Sequence, residues 1–207
     1  MDCSSLKALN NQETPRSLED SKMNQNSPQR WFNLEEQFFK SLDNQLLERL
    51  REKNEIEQNA ESIMQLTGIT DHSVAEKIAS LKISSETLAA FRLVPLVAVA
   101  WASDYIDSDE KYVIDQAAEK AGLDEPAIQL LGEWIKNRPG SELLDAWCDY
   151  AASLVATLDE AHRRSLRDQI LNQSMEVAKA SGGILGFGSV SPSEKATFEK
   201  IRQALGG

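Results

Sequence analysis

The chain has 207 residues, a formal net charge of −11 and a pI near 4.7. This length allows one hydrophobic core plus a tail, and 41% hydrophobic with 27% charged residues is typical of a soluble globular protein. The negative charge argues against nucleic-acid binding, because a binder must neutralise phosphates with a basic surface.

The acidic residues are concentrated in one third of the chain. Residues 100–160 hold fourteen Asp or Glu against four Lys or Arg, a local charge of −10. Such a surface attracts cations or a basic partner, or it only keeps the protein in solution. The sequence leaves these alternatives open.

Cysteine usage and hydropathy predict a cytoplasmic protein. Cys3 and Cys148 lie far apart and form no disulfide framework, which favours a reducing compartment. The N-terminus lacks a basic segment followed by an apolar one, so no signal peptide is recognised. The longest apolar run is shorter than the ~20 residues that span a bilayer, and we expect no transmembrane segment.

The first part of the chain predicts a tail and a long helix. Residues 1–30 are polar without a sustained period, which is typical of a disordered tail. Residues 31–85 predict a long amphipathic helix that begins near residues 32–34 and ends at Gly68, and a short helix capped by Asp71. The apolar positions of the long helix recur every four residues: Leu34, Phe38, Leu42, Leu46 and Leu50.

Residues 86–207 predict a helical domain built around residues 93–114, which begin with the uncharged apolar segment 93–102. A helix begins at Ser84 or Ser85 and leads into this segment past Pro95. Further helices are predicted over 107–121, 124–136, 141–158, 159–180 and 191–205, with Ser141 as an N-cap. No stretch alternates apolar and polar residues with period two, so the fold class is all-α.

The central motif is repeated. Ala100 to Lys111 ends a helix of small residues, turns, and opens a new helix with Asp107-Ser-Asp-Glu110. The counterpart runs from Ala178 and opens its helix with Ser191-Pro-Ser-Glu194. This repeat predicts two similar helix–turn–helix halves that pack together.

This central stretch resembles the TerB-like family. The matching residues are Val97-Ala-Val-Ala-Trp-Ala-Ser-Asp-Tyr-Ile-Asp-Ser-Asp-Glu-Lys-Tyr-Val-Ile114, and the resemblance covers roughly residues 86–206. It implies a compact bundle of about seven helices, as in tellurite-resistance proteins and the N-terminal domain of a DnaJ-type co-chaperone. It also implies a divalent-cation site in the acidic turns and no agreed catalytic activity. Separately, residues 34–51 are similar to the first helix of a zeta-type inhibitor subunit of bacterial ATP synthase.

The acidic turn is the candidate metal site, with Asp104, Asp107, Asp109 and Glu110 as ligands. Hard cations such as Ca²⁺ and Mg²⁺ need several oxygens that converge on one point. The alternative is local capping, since Asp107 to Glu110 also fits a capping box. The spacing does not match an EF-hand.

Other residues give weaker signals. His72 and His162 have no Cys or His at ligand spacing, which argues against a zinc site. The glycine-rich run 182–188 matches no phosphate-binding pattern, and its Ile184, Leu185 and Phe187 either fold under the bundle or project towards a membrane surface or a partner. No constellation for a nucleophile or a general base is recognised, so we predict no enzyme and no certain cofactor.

Two functions remain. The first is a non-catalytic TerB-like module that binds a divalent cation, a protein partner or both, in a stress response. The second is an interaction or regulatory protein that acts through the long amphipathic helix.

Overall fold

The computed structural model describes residues 28–180 and 191–207, with side chains from residue 31. These residues form helices and no strand, which confirms the all-α prediction. Residues 1–27 of the predicted tail lie outside the described residues, and so does the glycine-rich run 182–188. The helices are α1 (Pro28–Thr67), α2 (His72–Ser80), α3 (Leu88–Phe91), α4 (Val94–Ala100), α5 (Ser108–Ala121), α6 (Glu125–Lys136), α7 (Ser141–Thr157), α8 (Glu160–Ala180) and α9 (Pro192–Ala204), with a 3₁₀ turn at Trp101–Ser103 after α4.

The chain divides into two compact units between Arg49 and Leu50. The described part of the first unit, residues 28–49, is helical throughout. Helix α1 begins at Pro28, four residues before the earliest start that the sequence predicts. Proline suits a first turn because it has no N–H that would be left without a helical partner. The predicted domain boundaries after residues 30 and 85 stay predictions.

Helix α4 lies at the centre of the second unit. It contacts α5, α7, α8 and α9. Six of its seven residues are buried, which explains why this segment carries no charge: Val94, Pro95, Leu96, Val97, Val99 and Ala100. Around it pack the larger core side chains Phe91, Ile114, Trp147, Ile201 and Leu205. The apolar segment predicted to organise the fold is therefore the core helix.

One predicted helix is two helices in the structure. The apolar pattern predicts a single helix over residues 84–102 that continues past Pro95, but α3 ends at Phe91 and α4 begins at Val94. Pro95 lies in the first turn of α4. A proline is favoured there and disrupts a helix that continues through it, so the chain breaks before Pro95 rather than bending at it.

Most predicted helix ends are confirmed. Asp71, Asp124 and Ser191 each accept a hydrogen bond from a backbone N–H of the helix that follows. Gly68 and Gly122 adopt positive φ angles of 74° and 65° at helix C-termini, a conformation that glycine reaches without steric cost.

The cap predicted at Ser141 is wrong. Gly140 is the N-cap of α7 and contributes no side-chain bond, and Ser141 is the first helical residue. The helix starts directly after the Pro139-Gly140 turn. Ser141 therefore lies one residue beyond the N-cap position and does not cap the helix.

The two halves share the same helix opening. Asp107 and Glu110 form a capping box at α5, and Ser191 and Glu194 form another at α9. Both glutamates are buried, at 1% and 6% exposure. Each carboxylate bonds the N–H of the residue that caps its own helix, which satisfies a donor that would otherwise be lost on burial.

Candidate functional site

The acidic turn follows the end of α4 and bends at Asp104. Asp104 has a φ of 73°, a left-handed conformation that aspartate tolerates better than most residues. Its side chain is 88% exposed, and Oδ1 accepts a hydrogen bond of 3.0 Å from the guanidinium of Arg138. This carboxylate therefore pairs with a cation on the loop after α6.

Asp107 and Glu110 cap helix α5. Asp107 Oδ1 accepts hydrogen bonds from the N–H groups of Asp109 and Glu110, at 2.9 and 2.8 Å. Glu110 Oε2 accepts a bond of 3.1 Å from the N–H of Asp107. The side chain of Asp109 is exposed. The capping interpretation of this turn is confirmed, and the cation site predicted at the four carboxylates stays a prediction.

A different group brings three metal-binding side chains together. Within the part of the chain that the structure describes, the ligand atoms of Glu57, His72 and Glu76 all lie within 4.8 Å of one another. The carboxylates of the acidic turn, all within the described ranges, form no such group of three. Glu57 comes from α1, whereas His72 and Glu76 lie one turn apart on α2.

The two glutamates face different nitrogens of the His72 ring. Nε2 lies 3.2 Å from Glu57 Oε1, and Nδ1 lies 3.9 Å from Glu76 Oε2. The 3.2 Å contact to Glu57 is close enough for a polar interaction, whereas 3.9 Å to Glu76 is too long for a hydrogen bond. The arrangement suits a metal ion shared by Nε2 and Glu57, with Glu76 on the other side of the ring. All three side chains are half-buried.

The capping residue of α2, Asp71, directly precedes this histidine. The Ser73 hydroxyl and N–H both donate to Asp71 Oδ1, at 2.7 and 3.0 Å. The Ser73 hydroxyl is the main cause that holds the pKa of Asp71 below its ordinary value. The sequence showed His72 and Glu76 at a spacing of four, but no local pattern related them to Glu57.

A row of large apolar side chains is exposed on α1. In the first unit they are Trp31, Phe32, Leu34, Phe38, Phe39, Leu42, Leu46 and Leu47, between 49% and 66% exposed. Only five other large hydrophobic residues of the described ranges are exposed to this degree, so the concentration on α1 is local. Contiguous apolar surface of this kind marks interaction sites. We call residues 31–49 the α1 face.

The described residues of the second unit also line several clefts, two of which border the acidic turn or large core side chains. One, of about 440 Å³, lies between α4, α7 and α9 and has the Asp104–Arg138 pair at its edge. The other, of about 700 Å³, has an apolar floor that includes Phe91 and Trp147, with Arg92 and Lys120 in its lining. Burial raises the pKa of Tyr150 in this second cleft, so its hydroxyl stays protonated at neutral pH.

His162, Cys148 and three tryptophans pack or bond within the second unit. His162 Nδ1 lies 2.7 Å from Asp159 Oδ2 at the start of α8. Cys148 is half-buried on α7, and desolvation raises the pKa of its thiol, which makes it a weak nucleophile. Trp147 is buried in the core, and the indole N–H of Trp101 donates to the Trp134 carbonyl at 2.8 Å.

No family model, curated protein or solved structure matches this chain. In residues 28–180 and 191–207, no helix combines the length and the apolar character that crossing a membrane requires. The TerB-like and zeta-type resemblances stay predictions.

Proposed function

We propose that this protein is a non-catalytic helical module of TerB-like type that binds a protein partner through the α1 face. The observation that carries the proposal is the row of exposed leucine, phenylalanine and tryptophan side chains on residues 31–49. Burying one such side chain is worth about 1.5–3 kcal/mol, so eight of them exposed to water are costly unless a partner covers them.

The chemistry of the α1 face favours a partner helix. Phe38, Leu42 and Leu46 are four residues apart on a continuous helix, the spacing of an apolar stripe that lies in a groove or against another helix. The described residues of the α1 face span about 27 Å at 1.5 Å per residue. Polar residues such as Asn44 lie on the opposite side, because two residues advance the helix by about 200°.

Photo-crosslinking tests this function. A photoreactive phenylalanine analogue is placed at Leu42, and at Asn44 as the matched control, in the full chain expressed in its native host. We expect a defined protein adduct from position 42 and none from position 44. Equal adducts from both positions, or none from either, would contradict the proposal.

A second candidate function is divalent-cation binding, and the group of Glu57, His72 and Glu76 favours it. A separation of 3.2 Å between His72 Nε2 and Glu57 Oε1 is that of two ligands on one ion. Imidazole with carboxylates suits Zn²⁺ better than Ca²⁺. With two protein ligands on the ion, binding is weak.

Calorimetric titration with Zn²⁺ and with Ca²⁺ separates the two metal hypotheses. If the His72 group binds, Zn²⁺ heat is saturable and is lost in His72→Ala but retained in the double variant Asp104→Asn/Asp109→Asn. If the acidic turn binds, the pattern of loss is reversed and Ca²⁺ also gives heat. No saturable heat with either ion would reject both.

A further inference from the structure

We propose that the α1 face pairs with the α1 face of a second copy of this chain, with the two helices antiparallel and a two-fold axis at Leu42. The proposal rests on the proposed function and names its partner. Two independent features of residues 35–49, the apolar spacing and the charges, select this partner and this orientation.

The apolar spacing is symmetric about Leu42. In an antiparallel pair centred there, a residue before position 42 meets the residue equally far after it on the other copy. Phe38 and Leu46 each lie four residues from Leu42, and they are 63% and 57% exposed. Phe38 thus meets the partner's Leu46 and Leu42 meets the partner's Leu42. Rows of side chains spaced by four are the ridges that pack into the grooves of a facing helix.

The charges within the apolar row have the same symmetry. Glu35 and Arg49 each lie seven residues from Leu42, and seven residues return to nearly the same side of a helix after about two turns. Both residues are exposed, and neither forms an ion pair with another described residue of the first unit. By contrast, Glu36 at the side of the row pairs with Lys40 at 2.8 Å.

These two charges determine the orientation. In the antiparallel arrangement Glu35 faces the partner's Arg49, and the two-fold axis makes this pair twice. In a parallel arrangement Glu35 would face the Glu35 of the second copy, and Arg49 would face the Arg49 of the second copy. Like charges placed opposite each other at an interface disfavour that pairing, so the antiparallel arrangement is selected. In the antiparallel arrangement only Leu42, which lies on the axis, faces the same residue of the second copy.

Sedimentation analysis of the full chain tests the association. We expect a reversible dimer whose dissociation constant rises at least tenfold in Glu35→Arg, because four arginines then meet across the two pairs. The double variant Glu35→Arg/Arg49→Glu restores the pairs in reverse and should return to within about threefold of the wild type. Asn44→Arg, on the opposite side of α1, is the matched control and leaves the dissociation constant unchanged.

Disulfide trapping tests the orientation in a background that carries Cys3→Ser and Cys148→Ser. Leu42→Cys should form a disulfide-linked dimer by itself. Glu35→Cys and Arg49→Cys should each fail to do so alone but should crosslink when the two proteins are mixed. Efficient crosslinking of Glu35→Cys with itself would overturn the antiparallel arrangement.

The outcomes separate this inference from the proposed function. A chain that stays monomeric at all concentrations, with a photo-adduct from position 42 to a different protein, overturns self-pairing and leaves the proposed function standing. An adduct from position 42 to a second copy supports both. A monomeric chain with no adduct from position 42 overturns both.

Discussion

The hydroxyl of Ser193 donates a hydrogen bond of 2.7 Å to the carbonyl oxygen of Ala102, 91 positions earlier in the chain. Ser193 lies in the first turn of α9, and Ala102 lies in the 3₁₀ turn between α4 and α5, the two helices of the first half. The start of α9 in the second half therefore contacts the bend of the first half.

Removing this bond should destabilise the protein modestly. We expect Ser193→Ala to lower the free energy of unfolding by about 0.5–1 kcal/mol, the net value of an ordinary hydrogen bond. Urea denaturation of the full chain provides the measurement. Ser62→Ala is the control, because the Ser62 hydroxyl bonds only to Gln58 of its own helix. A loss in Ser62→Ala as large as that in Ser193→Ala would show that the contact between α9 and the 3₁₀ turn contributes nothing.

Removing the cap at Asp107 should destabilise the protein more than removing the neighbouring carboxylate of Asp109. Asp107→Ala removes the acceptor of two backbone N–H groups at the start of α5, and a lost cap costs about 1 kcal/mol. Asp109→Ala removes an exposed carboxylate that caps nothing, and it should cost only a few tenths. Denaturation midpoints of the two variants measure the difference. If the two losses are equal, the carboxylates share a role other than capping.

Replacing each of two glycines by alanine should change the free energy of unfolding in opposite directions. Gly122 has a φ of 65° at the end of α5, so Gly122→Ala should lower the free energy of unfolding by about 1 kcal/mol. Gly132 lies inside α6, and the space that an added methyl group would occupy is open, so Gly132→Ala should raise it by about 0.5–1 kcal/mol. Thermal unfolding of both variants measures the effect, and a shift of the same sign in both would contradict the argument.

Acid should weaken the cap of α8. Hydrogen bonds from the His162 N–H and ring hold the pKa of Asp159 below its ordinary value of 3.8. A lowered pKa contributes stability that is fully present above the ordinary value and is lost as the pH falls through the lowered one.

The neutral variant Asp159→Asn isolates this contribution. The difference in unfolding free energy between wild type and Asp159→Asn should be constant above pH ~5 and should shrink towards zero in stronger acid. Urea titrations at several pH values provide the measurement. A difference that persists unchanged to the lowest pH would mean that the charge of Asp159 plays no part.

Many elements of this fold were predictable because their causes are local. The N-caps at Asp71, Asp107, Asp124 and Ser191 form within three residues of the helix that they start, so a short pattern contains all the atoms involved. The helix break before Pro95 was missed although its cause is also local. The apolar residues on both sides of it suggested one continuous helix.

The sequence by itself determined the helical class, the central buried segment, the capped helix openings and the apolar row on α1, because each depends on residues within about one or two helical turns. Only the tertiary structure brought Glu57 to His72, Arg138 to Asp104, and Ser193 to Ala102. These meetings depend on how separate helices pack and on the directions in which their side chains point, and no pattern within one helix contains that information.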